Sequence, residues 1–184
     1  MRTKQLVLTA LFAALTAIGA FLKIQIPVEG IPAITLQFFF TAMAGVLLGA
    51  KYGAISQAVY VLLGLVGLPI FTMGGGFSYV LQPSFGFLVG LIPSAWVIGM
   101  LCKNAKSFWP MALGILAGLA VLYLIGTPYM GLILNLYLGK GMSVWQIVRA
   151  GCLLYLPGDV LKIVVCTALC LALRSRLPKA LAAA

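Results

Sequence analysis

The chain has 184 residues, of which 64% are hydrophobic and 8% charged, with twelve Lys and Arg, two carboxylates and no histidine. That composition lies outside the range of soluble domains and marks an integral membrane protein. It also removes the parts for metal hydrolysis, paired-carboxylate and Ser-His-Asp chemistry, so no enzyme and no metal site is expected, and the net charge of +10 sits at the edges of apolar runs rather than in a patch that would bind nucleic acid.

Six apolar runs, at about 5–22, 34–50, 52–68, 84–102, 110–130 and 151–173, approach the roughly 20 residues that span a bilayer. They are continuous rather than alternating, which selects helices over a barrel. The expected architecture is all-α: one compact six-transmembrane-helix bundle forming a single domain over 1–184. Arg2 and Lys4 precede the first run, but its length and the lack of a small-x-small cleavage site argue against a signal peptide. Within it, Ala10 and Ala14, and Ala13 and Ala17, repeat a small-xxx-small spacing. Such a face lets another helix approach closely, and composition leaves a partner helix and internal packing equally open.

The loop after the first run carries Pro27 and Pro32, which disfavour a regular helix, and places Thr35 and Gln37 at the mouth of the second span. Gly45, Gly49, Lys51 and Gly53 predict a tight turn between the second and third runs. Beyond the third lies Gly67–Phe77, rich in glycine and aromatics, with Phe71, Gly74 and Gly75. It reads as a lid over a small-molecule pocket, with an ordinary turn as the alternative. Gly74-Gly75-Gly76 lacks the Lys-Ser/Thr of a phosphate loop, so ATP is not bound here in that way. Cys102, Cys152, Cys166 and Cys170 read as packing residues.

The last run holds the most informative residues. Asp159 and Lys162 in Leu156-Pro157-Gly158-Asp159-Val160-Leu161-Lys162 share a helix face. An ionisable residue in a span costs about 2.5–3.5 kcal/mol, so the pair should face a cavity or partner, or form a structural ion pair between helices. Lys162 lies about 18 Å and Asp159 about 22 Å from the flanking Arg174 in a core about 30 Å thick, which puts the pair in the outer half of the bilayer. Pro157 and Gly158 should restart the helix near Asp159 and leave free N–H groups there. With both termini cytoplasmic, the inside carries Arg2, Lys4, Lys51, Lys103, Lys106, Arg174, Arg176 and Lys179, and the outside Lys23, Lys140 and Arg149, as the positive-inside rule requires.

Ile31-Pro32-Ala33-Ile34-Thr35-Leu36-Gln37, Leu48-Gly49-Ala50-Lys51-Tyr52-Gly53, Gly64-Leu65-Val66-Gly67-Leu68-Pro69-Ile70-Phe71 and Leu156–Lys162, in this order, together resemble the BioY family, the biotin-specific S-components of energy-coupling factor (ECF) transporters. The resemblance implies a multi-pass subunit of the bacterial cytoplasmic membrane that captures biotin from outside. It also implies a transmembrane coupling protein and two ATPase subunits as partners, no cofactor in this chain, and ATP bound by those partners. By it, Asp159 and Lys162 contact the biotin head group, with Gln37, Phe71, Gly74, Gly75, Tyr155 and Gln82 as further substrate-binding candidates. Ala10, Ala13, Ala14 and Ala17 become the docking face for the coupling protein. A ureido ring offers two N–H donors and one carbonyl acceptor to such a pair. The chain departs from the pattern where relatives carry an Asn-containing loop and then Gly-Pro-Ser/Thr-Gly-Gly-Tyr; here stand Gly74-Gly75-Gly76-Phe77 and Gln82-Pro83-Ser84-Phe85-Gly86-Phe87. That leaves open biotin or a related vitamin, and a membrane enzyme or scaffold built on the Asp159–Lys162 pair is the competing class.

Overall fold

The computed structural model describes residues 3–24 and 31–176. Arg2, the 26–30 part of the first loop with Pro27 and Glu29, and Lys179 lie outside the described residues. In chain order come α1 (Thr3–Phe21), β1 (Lys23–Ile24), β2 (Ile34–Thr35), α2 (Gln37–Leu65), a 3-10 turn at Phe77–Leu81, α3 (Phe85–Leu101) and α4 (Phe108–Leu132). A π-helical turn at Ile133–Tyr137 extends α4, and α5 (Val144–Val148) and a second π turn at Arg149–Leu153 precede α6 (Leu156–Arg176). β1 and β2 pair antiparallel, with Lys23 opposite Thr35 and Ile24 opposite Ile34. The two strands, the two π turns and α5 were not expected from the apolar runs.

Among the described residues, four helical stretches are long and apolar enough to cross a membrane: Thr3–Phe21, Gln37–Leu65, Phe108–Tyr137 and Val144–Ser175. α3 is as apolar but shorter. α2, however, is bent at Gly49, whose φ of 79° and ψ of 177° are not helical. Gln37 Nε2 donates to Tyr60 Oη at 2.8 Å and Thr41 Oγ1 to Gln57 Oε1 at 2.9 Å. A Cβ built on Gly53 would lie 3.0 Å from Gly45 Cα. In a straight helix residues 37 and 60 would stand about 34 Å apart. These pairs centre on Gly49, so α2 is an antiparallel hairpin with arms 37–48 and 50–65. The turn expected among Gly45, Gly49, Lys51 and Gly53 therefore forms, at the one residue type that tolerates its backbone. α3 crosses the bend closely: a Cβ on Gly99 would overlap the Ala50 backbone.

Lipid is as apolar as leucine, so the helices need hydrogen bonds and close packing to associate. Thr16, Thr41, Ser56 and Gln57 are fully buried. Gln57 Oε1 accepts from Thr41 and, at 3.3 Å, from Thr16, while its Nε2 donates to Ser56 Oγ at 3.0 Å. This cluster fastens α1 to both arms of α2. At the bend end, Arg174 of α6 donates to the carbonyls of Cys102 (2.8 Å), Ala105 (3.1 Å) and Val46. One guanidinium thus satisfies backbone acceptors from the hairpin and from the α3–α4 loop. Cys102, Cys166 and Cys170 are free and buried, in keeping with a packing role.

The alanines of α1 divide. Ala13 is buried in the core and Ala17 packs partly against it, so this pair serves internal packing, because the Thr9, Phe12, Thr16 side of α1 is the buried one. Ala10 and Ala14 are exposed on the outer face.

Gly49→Ala should lower stability by about 1–3 kcal/mol, the cost of forcing a side chain into this backbone region. Gly158→Ala, where an added Cβ meets nothing within 4 Å, should leave stability unchanged or slightly raised. Thermal unfolding of the detergent-purified variants checks both.

Candidate functional site

A cavity of about 80 Å³, open on one side, lies between the start of α2, α3, α4 and α6. Local sequence sets its polar groups. The helical path breaks through the π turn at Arg149–Leu153 and resumes at Leu156. Pro157, in the first turn of α6, costs no hydrogen bond because N–H groups there have no helical acceptor. Asp159 falls in the same first turn, where the helix dipole favours a carboxylate. The break therefore precedes Pro157 rather than following it, and the Asp159 N–H is not free: it donates to the Tyr155 carbonyl at 2.9 Å.

The Asp159 side chain is 6% exposed and that of Lys162 11%. Lys162 Nζ donates to Asp159 Oδ1 at 2.7 Å, and the Tyr123 hydroxyl of α4 donates to Oδ2. Tyr155 donates to the Pro32 carbonyl, tying α6 to the loop before β2. Gln37, whose Oε1 accepts from Thr35 Oγ1 at 3.0 Å, reaches the cavity from α2. Phe38, Phe87, Leu88, Leu91 and Leu122 give the cavity its apolar lining, and Thr35, Thr72 and Ser84 add hydroxyls. Such a site presents carboxylate acceptors and ammonium and hydroxyl groups together with apolar surface. Among the described residues no cluster of His, Cys, Asp and Glu could hold a metal.

Of the residues expected from sequence, Gln37, Tyr155, Asp159 and Lys162 line this cavity, and Phe71, Gly74, Gly75 and Gln82 do not. Phe71 is buried in the core, its ring edge-on to Tyr60 and 4.6 Å from that of Tyr79. Gly74 closes a reverse turn, exchanging backbone bonds of 2.8 and 3.3 Å with Phe71 at a φ of 115°. Gly75 and Gln82 line a separate hollow with Ser78, Tyr79 and Tyr137. The Gly-rich segment reaches the cavity through Thr72 instead, whose carbonyl accepts from Lys23 and whose Oγ1 is bonded to Tyr79 Oη at 2.8 Å. Tyr123, Thr72 and Ser84 are lining residues that sequence reasoning missed. Only for Tyr123 was there a signal, since a tyrosine deep in an apolar span needs a partner for its hydroxyl.

A sequence model of the BioY family matches residues 1–179. The chain is 46% identical over 143 residues to the probable biotin transporter BioY of Lysinibacillus sphaericus, covering 77% of this chain and 71% of that protein. It is 36% identical over 173 residues to the biotin transporter BioY of Thermotoga maritima, covering 93% and 96% respectively. The fold is similar to the crystal structure of the S-component for biotin from an ECF-type ABC transporter, with a TM-score of 0.82 at 27% identity, covering 95% of this chain and 92% of that one.

Lys162→Met alone should destabilise the protein by about 3–5 kcal/mol, because it strands the buried Asp159 carboxylate. Combining it with Asp159→Asn should recover much of that loss. A double-mutant cycle on unfolding midpoints measures the coupling, which vanishes if the two side chains act independently.

Proposed function

The chain belongs to the BioY family, and from that membership we propose that it is the biotin-binding S-component of an ECF-type transporter, capturing biotin from outside for ATP-driven uptake. Members of this family are transporter subunits rather than enzymes. The observation that carries the assignment is the Asp159, Lys162 and Tyr123 constellation in a cavity with an apolar lining. A ureido ring needs an acceptor for its N–H groups and a donor for its carbonyl, and these residues supply both side by side. The apolar lining suits the rest of the ligand. Of the positions at Gly74–Phe77 and Gln82–Phe87 where the chain departs from the family pattern, only Ser84 and Phe87 touch the cavity wall, which supports biotin over a related vitamin.

In this proposal the two arms of α2 count separately, and with α1, α3, α4 and α6 they make six crossings of the bacterial cytoplasmic membrane. Both termini are then cytoplasmic. Lys4, Lys51, Lys103 and Lys106 belong to the end of the bundle away from the cavity, and Lys23 to the cavity end, which supports that orientation. The coupling protein, working with two ATPases, would dock on α1 through Ala10 and Ala14, exposed beside Leu6, Val7, Leu11 and Ile18.

Biotin should raise the unfolding midpoint of the purified chain, with about 2.7 kcal/mol of stabilisation at a concentration 100-fold above Kd. Asp159→Asn should weaken binding by about 2–5 kcal/mol, the usual cost of losing a buried charged partner. A shift produced by a different B vitamin and not by biotin would move the assignment to that vitamin, and no shift with any would point to a structural ion pair.

Ala10→Trp or Ala14→Trp should abolish uptake and co-purification with the coupling protein while biotin affinity stays at the parent value. Loss of affinity together with assembly would mean that this face packs within the bundle.

A further inference from the structure

A hollow of about 320 Å³, open on one side, lies beside the Gly-rich segment and shares no lining residue with the Asp159 cavity. Tyr79 joins the two. Its side chain lines the outer hollow. Its hydroxyl is bonded to Thr72 Oγ1 at 2.8 Å and to Ser84 Oγ at 3.1 Å, both of which belong to the inner cavity. One buried aromatic side chain therefore stands between two spaces, with Phe71 packed against it.

The backbone around Tyr79 is fastened. Phe71 and Gly74 exchange backbone bonds, Gly76 N–H donates to Gly64 O at 2.7 Å, and Tyr60 Oη donates to Ile70 O at 3.1 Å. Swinging the segment away breaks all of these. Turning the Tyr79 side chain leaves those backbone bonds in place and breaks two neutral hydroxyl bonds, each worth about 0.5–1.5 kcal/mol net, together with its ring contact to Phe71. The smaller motion opens the same wall.

We propose that the hollow bounded by Met73, Ser78, Gln82 and Tyr137 is an outer transit site for the ligand, and that Tyr79 is the partition through which it enters the Asp159 cavity. The hollow offers hydroxyl and amide groups beside Met73 and Leu81, which suits a small ligand with a polar head and an apolar body. The identity of that ligand rests on the biotin assignment; the route does not.

An obstruction on a route slows entry and exit alike and leaves the equilibrium untouched, whereas a change within the final site alters affinity. Ser78→Trp should therefore slow both association and dissociation of biotin about ten-fold, within the decades that on-rates span among variants, with Kd unchanged. Tyr79→Phe should speed both. Rates that stay at the parent value in Ser78→Trp, or a Kd that moves through dissociation alone, overturn the route. A ligand-free arm separates this from the biotin assignment: modification of Ser84→Cys by a small methanethiosulfonate, with the parent as blank, should slow about ten-fold when Ser78→Trp is added. If that slowing appears while biotin fails to bind the parent, the route stands and the ligand assignment falls; if it is absent, the route falls.

Discussion

A carboxylate and an ammonium 2.7 Å apart, almost out of contact with water, are the constraint around which one end of this molecule is arranged. Each ion gives up several kcal/mol of hydration, and apolar residues of the same volume are often equally or more stable. Stability alone therefore gives little reason to keep the pair, which agrees with the ligand-binding role proposed above. Its cost is contained by local means: α6 starts just before it, so the helix dipole favours Asp159, and Tyr123 of α4 occupies the second carboxylate oxygen. The hydroxyl of Tyr155 reaches across to Pro32 and holds the loop before β2 against the same helix turn.

The opposite end does a different job by related means. The bend at Gly49 and the α3–α4 loop leave carbonyls without helical donors, and Arg174 gathers three of them. Between the two ends, the buried Thr16, Thr41, Ser56 and Gln57 cluster sets the register of α1 on the hairpin. A helix with outward Ala10 and Ala14 is thereby held by its inward hydroxyl, leaving the small-residue face free of internal duties.

Features with a local chemical signature were legible in the sequence. Asp159 and Lys162 stand out because charge in an apolar run has few explanations, and the Gly49 turn because clustered glycines punctuate long spans. Gln37 was found as a polar residue at a helix mouth. Side-chain direction was not legible: nothing local says that Phe71 turns inward, that Gly74 and Gly75 serve the turn itself, or that Thr72 between them faces the cavity. Tyr123 carried only the signal of a hydroxyl in an apolar span, because a helix apolar on every face has no periodicity to mark its inner side. The same loss of periodicity left Ala10 and Ala13 indistinguishable, though packing separates them. The π turns have no compositional mark, so the restart of α6 was placed several residues late.

The hairpin also gives the bundle an uneven apolar height. The arms 37–48 and 50–65 are about 18 and 24 Å long and α3 about 26 Å, while the 25 residues of α4 reach about 38 Å before the π turn. The 37–48 arm has no exposed residue, so lipid meets the shorter height at the 50–65 arm and α3, where a hydrocarbon core near 30 Å would thin, and it would thicken, or the helix lean, along α4, at a fraction of a kcal/mol per ångström of mismatch. The difference in height belongs to the protein itself, so the mismatch it sets is present before any ligand or partner arrives.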